Sequence, residues 1–565
     1  MAKLVWASLD DYLPPGKGFG CVGRSVANHA FFQALMRYGR FDEYHFFLAN
    51  GSHRRAFETG HGGFLESVGA SKKVRLFDRL DLPEQVSKYD YTVFHQGDHI
   101  TYFNSLCHFR NRSASFPVTA FIHSLSYQSF MSTYLQMTLG GVTCSDALIC
   151  SSVSGKKVLE NCFGHIARQL KREPPSVQME VIPLGVDGGG MYKLSRRAAR
   201  KRLGLDEKEV IGLCFGRFSD YDKMDLFPLL QAFQMILRAG RPWRLILAGA
   251  VHVEAYLEIL KLWARVLGVS NRVTFLTNLS EEEKAAVYGA ADFFTSVSDN
   301  PQETFGITLL EAMGWGLPLL VSDFDGYREI VTEDVGRRIA TTWGDFEPFW
   351  KLSPLMDEVT LHRYLGQSVC VDVEGLADGL EFFFSDPDRC REMGMAARER
   401  FLRLYDSRVI IPRLEALWTR LKEGFRPGPG ASCEDPLAMK AFPCFSHYVT
   451  QTLSHEMRIR TTRFGRSLLA SEVRYPLLSG MGRLVDPEET GLVMAQAMDP
   501  CSVGQILRSA EHQEWKRRYL ILWMLKHGLL QFVPHTDREG NRHAPEQDET
   551  SPLLFAGDTG RTVHR

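Results

Sequence analysis

Ser298-Asp-Asn-Pro-Gln-Glu303-Thr-Phe-Gly-Ile-Thr-Leu-Leu-Glu311-Ala-Met-Gly-Trp-Gly-Leu-Pro318 is the stretch on which the reading of this chain turns. An apolar run, Phe293–Val297, precedes it and another, Leu319–Ser322, comes directly after it, so it reads as strand, polar loop, helix, strand. The helix is expected to begin near Glu303. On it, Glu303 and Glu311 would stand about 12 Å apart and point roughly the same way. The amides of Thr304, Phe305 and Gly306 would lie at the helix N-terminus, where free N–H groups and the dipole favour an anion. Gly306 would let a ligand approach the backbone closely. One face of the segment could hold a phosphate, with a carboxylate for hydroxyl groups on either side of it.

Working outward, strand-length apolar runs alternate with helix-length amphipathic segments. In the first third the runs are Leu4–Leu9, Tyr44–Ala49, Val74–Phe77, Tyr91–Phe94, Val118–His123 and Ala147–Ser151, with a helix at about Ser25–Tyr38. The pattern restarts after Val181–Asp187, with runs at Val210–Phe215, Leu245–Ala248, Val273–Leu276, Phe293–Val297 and Leu319–Ser322. Such alternation predicts an α/β chain of two Rossmann-like domains, 1–187 and 188–404, facing a central cleft. A helix at 405–423 ends this part, and the Gly/Pro-rich residues 424–436 read as a linker. Residues 437–534 form a mainly helical appendage with a faint likeness to a winged helix, and the polar tail 535–565 reads as disordered.

Composition narrows the classes. The 565 residues are 44% apolar and 24% charged, with a formal net charge of -1. That balance argues against a nucleic-acid binder. No run is long enough to span a bilayer, and Met1–Asp10 lacks the apolar core of a signal peptide. The eleven cysteines are scattered, without C-x-x-C pairs or zinc spacing. Reduced thiols, a cytoplasmic location and no structural metal are the expectations.

Several stretches together resemble retaining glycosyltransferases of the GT-B fold, in particular glycosyltransferase family 4 (glycosyl transferases group 1). Glu303 and Glu311 stand in its E-x7-E motif. Gly314-Trp-Gly-Leu-Pro-Leu-Leu-Val-Ser-Asp323 and Asp325-Gly-Tyr-Arg-Glu-Ile-Val331 look like the family's segments C-terminal to that motif. Phe215-Gly216-Arg217, with Lys223 six residues on, resembles the family's phosphate-binding pair; two fixed cations suit a diphosphate leaving group. Val181-Ile-Pro-Leu-Gly-Val-Asp187 resembles the interdomain segment, and Leu247-Ala-Gly249 closes a strand in the family's manner. Gly16-Lys-Gly-Phe-Gly-Cys-Val-Gly23 contains G-x-G-x-x-G at Gly18, Gly20 and Gly23 and looks like the family's first glycine-rich loop. The likeness covers about residues 1–422.

The resemblance implies a nucleotide-sugar donor, transfer with retention, and catalysis without a metal or other cofactor. By it, Arg217 and Lys223 hold the diphosphate with Gly216 and the amides of Thr304, Phe305 and Gly306. Glu303 takes donor-sugar hydroxyls, Glu311 the ribose, and His123 the sugar from the opposite domain, while Gly18 and Gly20 face the donor phosphates. His95 and Asp98 are weaker candidates of the same kind. Asp323-Phe-Asp325 spells D-x-D, which holds a metal in another transferase fold; after a Rossmann strand it reads as loop structure. Base, sugar and acceptor (glycan, lipid or protein) stay open, as do membrane contact and dimerisation through the appendage. Two other readings remain: a catalytically inactive binding protein whose appendage recruits a partner, and a nicotinamide-dependent oxidoreductase. Against the latter, Tyr44–Asn50 ends without the acidic residue that grips a cofactor ribose.

Overall fold

The computed structural model describes residues 3–16, 23–110, 115–191, 194–238, 241–426, 435, 437–471, 475–478, 480–509 and 514–533. It divides into two compact units, Met1–Met439 and Lys440–Arg565.

The first lobe of the larger unit is a parallel sheet of seven strands: β1 Val5–Ser8, β2 Glu43–Leu48, β3 Val74–Asp78, β4 Val93–Gln96, β5 Val118–Phe121, β6 Ala147–Cys150 and β7 Gln178–Val181. Their order is β3-β2-β1-β4-β5-β6-β7. Strands β1, β2, β4, β5 and β6 are buried along their whole length, because helices cover both faces. Alternation assigns each side chain a layer. Trp6 and Phe46 join the helix Gly23–Tyr38 on one face, whereas Val5, Ala7 and Phe47 join helices Phe103–Arg110 and Val153–Leu170 on the other.

The second lobe repeats the plan with six parallel strands: β8 Val210–Phe215, β9 Trp243–Gly249, β10 Val273–Thr277, β11 Phe293–Ser296, β12 Leu319–Ser322 and β13 Gly336–Ile339, in the order β10-β9-β8-β11-β12-β13. A short antiparallel pair, β14 Thr341–Thr342 and β15 Cys370–Val371, lies beyond its last strand in the chain. The progression of the strand order reverses between β1 and β4 in one lobe and between β8 and β11 in the other. These switch points are where open α/β sheets bind ligands. Neither β7 nor β13 stood out in the sequence. Both are edge strands, partly buried, and their Gln178-Met-Glu-Val181 and Gly336-Arg-Arg-Ile339 lack a solid apolar run.

The helix Ser407–Glu423 leaves the second lobe and packs on the first. Ile410, Ile411, Leu414, Leu417, Trp418 and Leu421 repeat at helical spacing and join the Trp6 layer. The Trp418 indole N–H donates to Thr119 Oγ1 at 3.0 Å, anchoring the helix end over β5.

In the smaller unit, β16 Arg458–Thr461 lies between β17 Cys501–Ser502 and β18 Leu530–Phe532, all antiparallel. The helices Arg463–Leu469, Pro487–Gln496, Val503–Arg508 and Glu514–Lys526 pack their apolar faces into one core with Ile459 and Leu530. The winged-helix likeness does not extend to topology. Two helices stand between β17 and β18, where a winged helix has a hairpin. Most of the linker and the tail 535–565 lie outside the described residues. Among the described residues no helix is long and apolar enough to cross a membrane.

Candidate active site

Between the lobes of the larger unit runs a cleft of about 610 Å³, lined by His123 from the first lobe and by Gly216, Arg217, Lys223, Glu303, Thr304, Phe305, Gly306 and Glu311 from the second. Gly18 and Gly20 lie outside the described residues; Gly23, the last glycine of that loop, lines the cleft.

The loop after β8 brings the two cations. Gly249 ends β9 at φ +150, and a Cβ there would overlap the Gly216 carbonyl oxygen. Glycine is therefore required where the two strand ends meet. Arg217 donates to the Asp222 carbonyl at 2.9 Å and lies 3.4 Å from the Asp222 carboxylate. Its Nε is buried with no partner among the described residues, an N–H held ready in a desolvated setting. The Lys223 ammonium pairs with the Glu303 carboxylate, both largely buried.

Here the expected helix is corrected. It spans Ile307–Gly314, so Glu303 belongs to the preceding turn and not to the helix of Glu311. The cause is Gly306, whose φ of +104 no right-handed helix contains, and where a Cβ would stand 2.5 Å from the Tyr327 ring. Gly306 caps the helix, and the Thr304–Gly306 segment faces the cleft just before its N-terminus. Burial alone would raise the Glu303 carboxyl. Lys223, the Phe305 N–H and Arg217 outweigh it and hold the group below the usual carboxylate range. Glu303 is thus an ionised acceptor, and its share of stability, complete above the ordinary carboxylate pKa, is lost as pH falls through the depressed one.

Glu311 is fixed from a helix that the sequence does not advertise as part of the site. Lys284 Nζ lies 2.6 Å from one carboxylate oxygen and Tyr288 O–H donates to the other at 2.9 Å. Both belong to the helix Glu281–Ala290, which a Ser280–Glu283 capping box starts just after β10. The Ser280-x-x-Glu283 pattern is the signal that would have located this helix, and with it Lys284, behind the carboxyl end of a strand.

His123 stands just after β5. Its Nε2 lies 2.8 Å from the Gly97 carbonyl and 3.1 Å from Asn28 Oδ1, two acceptors, so Nε2 carries the proton and Nδ1 is left as an acceptor. Burial pushes its pKa down to about 4, against the Gly97 hydrogen bond and Asp98, so the ring is neutral near pH 7. Asp98 lines the cleft and pairs with Arg24 at 3.1 Å. His95 does not belong there: it is fully buried, bonded to Thr119 Oγ1 at 3.0 Å. Asp323 pairs with Arg338 at 3.1 Å, and Asp325 stands in a left-handed turn at φ +48. Among the described residues no group of three or more His, Cys, Asp or Glu is placed to hold a metal ion.

Contacts across the cleft tie the Glu303 loop to the first lobe. Ser152 Oγ donates to the Thr304 carbonyl at 2.7 Å, and the Val153 and Ser154 N–H groups, opening the helix Val153–Leu170, donate to the Glu329 carboxylate at 2.9 and 3.0 Å. A carboxylate from one lobe thus caps a helix of the other. Glu329→Ala is expected to loosen closure, raising the radius of gyration in X-ray scattering and costing about 1 kcal/mol, the worth of a cap. An unchanged scattering profile would show that Glu329 does not hold the lobes together.

Residues 195–345 match the family model described as glycosyl transferases group 1. A D-inositol 3-phosphate glycosyltransferase of Segniliparus rotundus is 29% identical over 223 residues, 38% of this chain and 48% of that protein. An alpha-monoglucosyldiacylglycerol synthase of Streptococcus pneumoniae is 32% identical over 168 residues, 28% of this chain and 36% of that protein. The chain thus spans half or less of the length of these curated relatives. Among solved structures, a glycosyltransferase from Rickettsia africae superposes with a TM-score of 0.54 at 13% identity, over 75% of this chain and all of that one. Anabaena HepE, in complex with UDP and glucose, gives 0.51 at 16% identity, over 74% of this chain and all of that one. Residues 195–345 are thus similar to a glycosyl transferases group 1 domain, and the larger unit has a GT-B fold of two facing Rossmann-like lobes.

Proposed function

We propose that the protein is a retaining glycosyltransferase that moves a sugar from a nucleotide-sugar donor to an acceptor hydroxyl, without a metal. The observation that carries the reading is the convergence of Arg217, Lys223, Glu303, the Thr304–Gly306 segment and Glu311 on one side of a cleft that His123 faces from the other. In this reading the glycosidic C–O bond of the donor breaks as the acceptor oxygen bonds the anomeric carbon from the leaving-group face. The acceptor proton passes to a phosphate oxygen of the departing nucleoside diphosphate. Arg217 and Lys223, with the amides before the helix Ile307–Gly314, neutralise the charge that grows there. Glu303, ionised and already paired, serves to accept hydrogen bonds from sugar hydroxyls and not to donate a proton. His123 offers a neutral Nδ1 lone pair to the sugar, and Glu311 receives the ribose hydroxyls. In keeping with relatives named for an inositol phosphate and a glucosylated diacylglycerol, the acceptor we propose is an alcohol hydroxyl.

The test is a thermal-shift screen against UDP, GDP, ADP and their sugar conjugates, with no metal added. Stabilisation by one nucleotide series supports the donor cleft and names the base. No shift with any of them at millimolar concentration overturns the reading in favour of a binding protein that works through its appendage.

Tyr288 gives a finer prediction. Tyr288→Phe removes one of the two holds on Glu311, so the donor KM should rise about five-fold, the equivalent of ~1 kcal/mol, with kcat nearly unchanged. A fall in kcat at constant KM would place Glu311 in the chemical step instead.

A further inference from the structure

The loop after β1 contains a carboxylate that the mechanism above does not use. Asp10 is half-buried, and its Oδ2 accepts the Gly97 N–H at 2.5 Å. The carbonyl of that same residue, Gly97, lies 2.8 Å from His123 Nε2. The second acceptor on His123, Asn28 Oδ1, comes from the helix Gly23–Tyr38, and a Cβ on residue 97 would stand 2.6 Å from the Asn28 amide nitrogen. Residue 97 therefore has to be glycine if Asn28 and the peptide are to share one imidazole N–H. The turn that delivers Asp10 is itself strained: Tyr12 adopts φ +49, a conformation costly for a bulky side chain, and its hydroxyl donates to the His95 carbonyl at 3.4 Å.

We propose that Asp10 is a positioning residue for His123, holding through the backbone of Gly97 the tautomer and ring orientation in which Nδ1 is the acceptor offered to the cleft. A carboxylate accepts that N–H more strongly than a neutral group would, so it fixes the backbone of Gly97 and with it the direction in which the Gly97 carbonyl meets His123 Nε2. The proposal rests on the sugar-contacting role given to His123 above.

The setting of Asp10 gives the arrangement a pH signature. Burial, helped by Asp98 and Asp11 and opposed by the Gly97 N–H and Arg79, raises its pKa to about 7. Those groups, with the buried Tyr12 hydroxyl and with Arg24 beyond Asp98, are the charged and titratable neighbours. A carboxyl whose folded pKa lies above its unfolded value binds more protons when folded, so its contribution to stability declines as pH rises from the ordinary carboxylate range through about 7. Asp10→Asn, which cannot ionise, should therefore melt no lower than wild type at pH 8, while losing activity there. A residue kept only for packing would show the opposite.

The test uses the full chain labelled with 15N-histidine, the His123 signals being assigned by their loss in His123→Gln. Wild type is expected to show the Nε2-protonated tautomer, and Asp10→Ala and Asp10→Asn a mixture of tautomers. In donor turnover, Asp10→Ala should lower kcat about ten-fold, within the range of coupled neighbours, and lower it no further in the His123→Gln background. The wild-type kcat should fall as pH drops through about 7, a limb absent from Asp10→Asn. Unchanged His123 signals in both Asp10 variants, or losses that add in the double variant, overturn the proposal. If wild type turns over no nucleotide sugar, the proposed function fails by itself, and the His123 signals still decide the role of Asp10.

Discussion

Arg217→Ala is expected to lower kcat for sugar transfer by about 10²–10³-fold, the loss that accompanies removal of one preorganised donor from a site of developing negative charge. The side chain is held ready for such a role, since it spans the loop to the Asp222 carbonyl and its Nε is buried with no partner among the described residues. The same change should abolish stabilisation by the cognate nucleoside diphosphate in the thermal-shift assay. Arg217→Lys should recover only part of the loss, because an ammonium cannot both reach Asp222 and present a planar fork to phosphate oxygens. Steady-state kinetics with the donor identified by the screen is the measurement, and unaltered turnover in Arg217→Ala would remove the diphosphate from this place.

The second large effect concerns folding. Arg110, at the end of the helix Phe103–Arg110, and Asp146, just before β6, form a fully buried ion pair. Asp146 also accepts the Val118 N–H at 2.9 Å and the Thr143 N–H at 2.8 Å, so it closes the start of β5 as well as the pair. Asp146→Ala would leave a buried guanidinium without its carboxylate partner and two amide groups without acceptors. The expected cost is about 3–5 kcal/mol in chemical denaturation. Replacing both partners, with Arg110→Met and Asp146→Leu, should cost less than Asp146→Ala alone, because no buried charge then remains. A smaller loss in the single variant than in the double one would contradict this account.

Much of this was legible in the chain itself. The central strands of both lobes announced themselves because helices cover both sheet faces, so those runs are apolar throughout. The edge strands β7 and β13 did not, since a strand with one flank open carries charged residues such as Glu180, Arg337 and Arg338. The helix Glu358–Gln367 was illegible in a different way. It brings His362 to Ser126 of the first lobe at 2.8 Å, a contact whose partners stand 236 residues apart and whose meaning no local pattern contains.

The candidate site divides along the same line. The Glu303-to-Glu311 spacing and the Arg217–Lys223 pair could be read from the sequence, because residue type and local spacing reflect strand and loop geometry. The relation between the two glutamates could not. Whether Gly306 continues a helix or interrupts it depends on the Tyr327 ring, which arrives from the short helix Tyr327–Ile330 and leaves room only for a residue without a Cβ at φ +104. Likewise, His123 was identifiable as a histidine at the carboxyl end of a strand, but its neutral state and its tautomer come from Asn28, Gly97 and burial. Sequence by itself determined the central strands of both lobes and several of the side chains that reach their carboxyl ends, since these depend on periodicity and parallel connection. Only the tertiary structure decided their charge, partners and orientation, because those depend on desolvation and on hydrogen bonds between residues far apart along the chain.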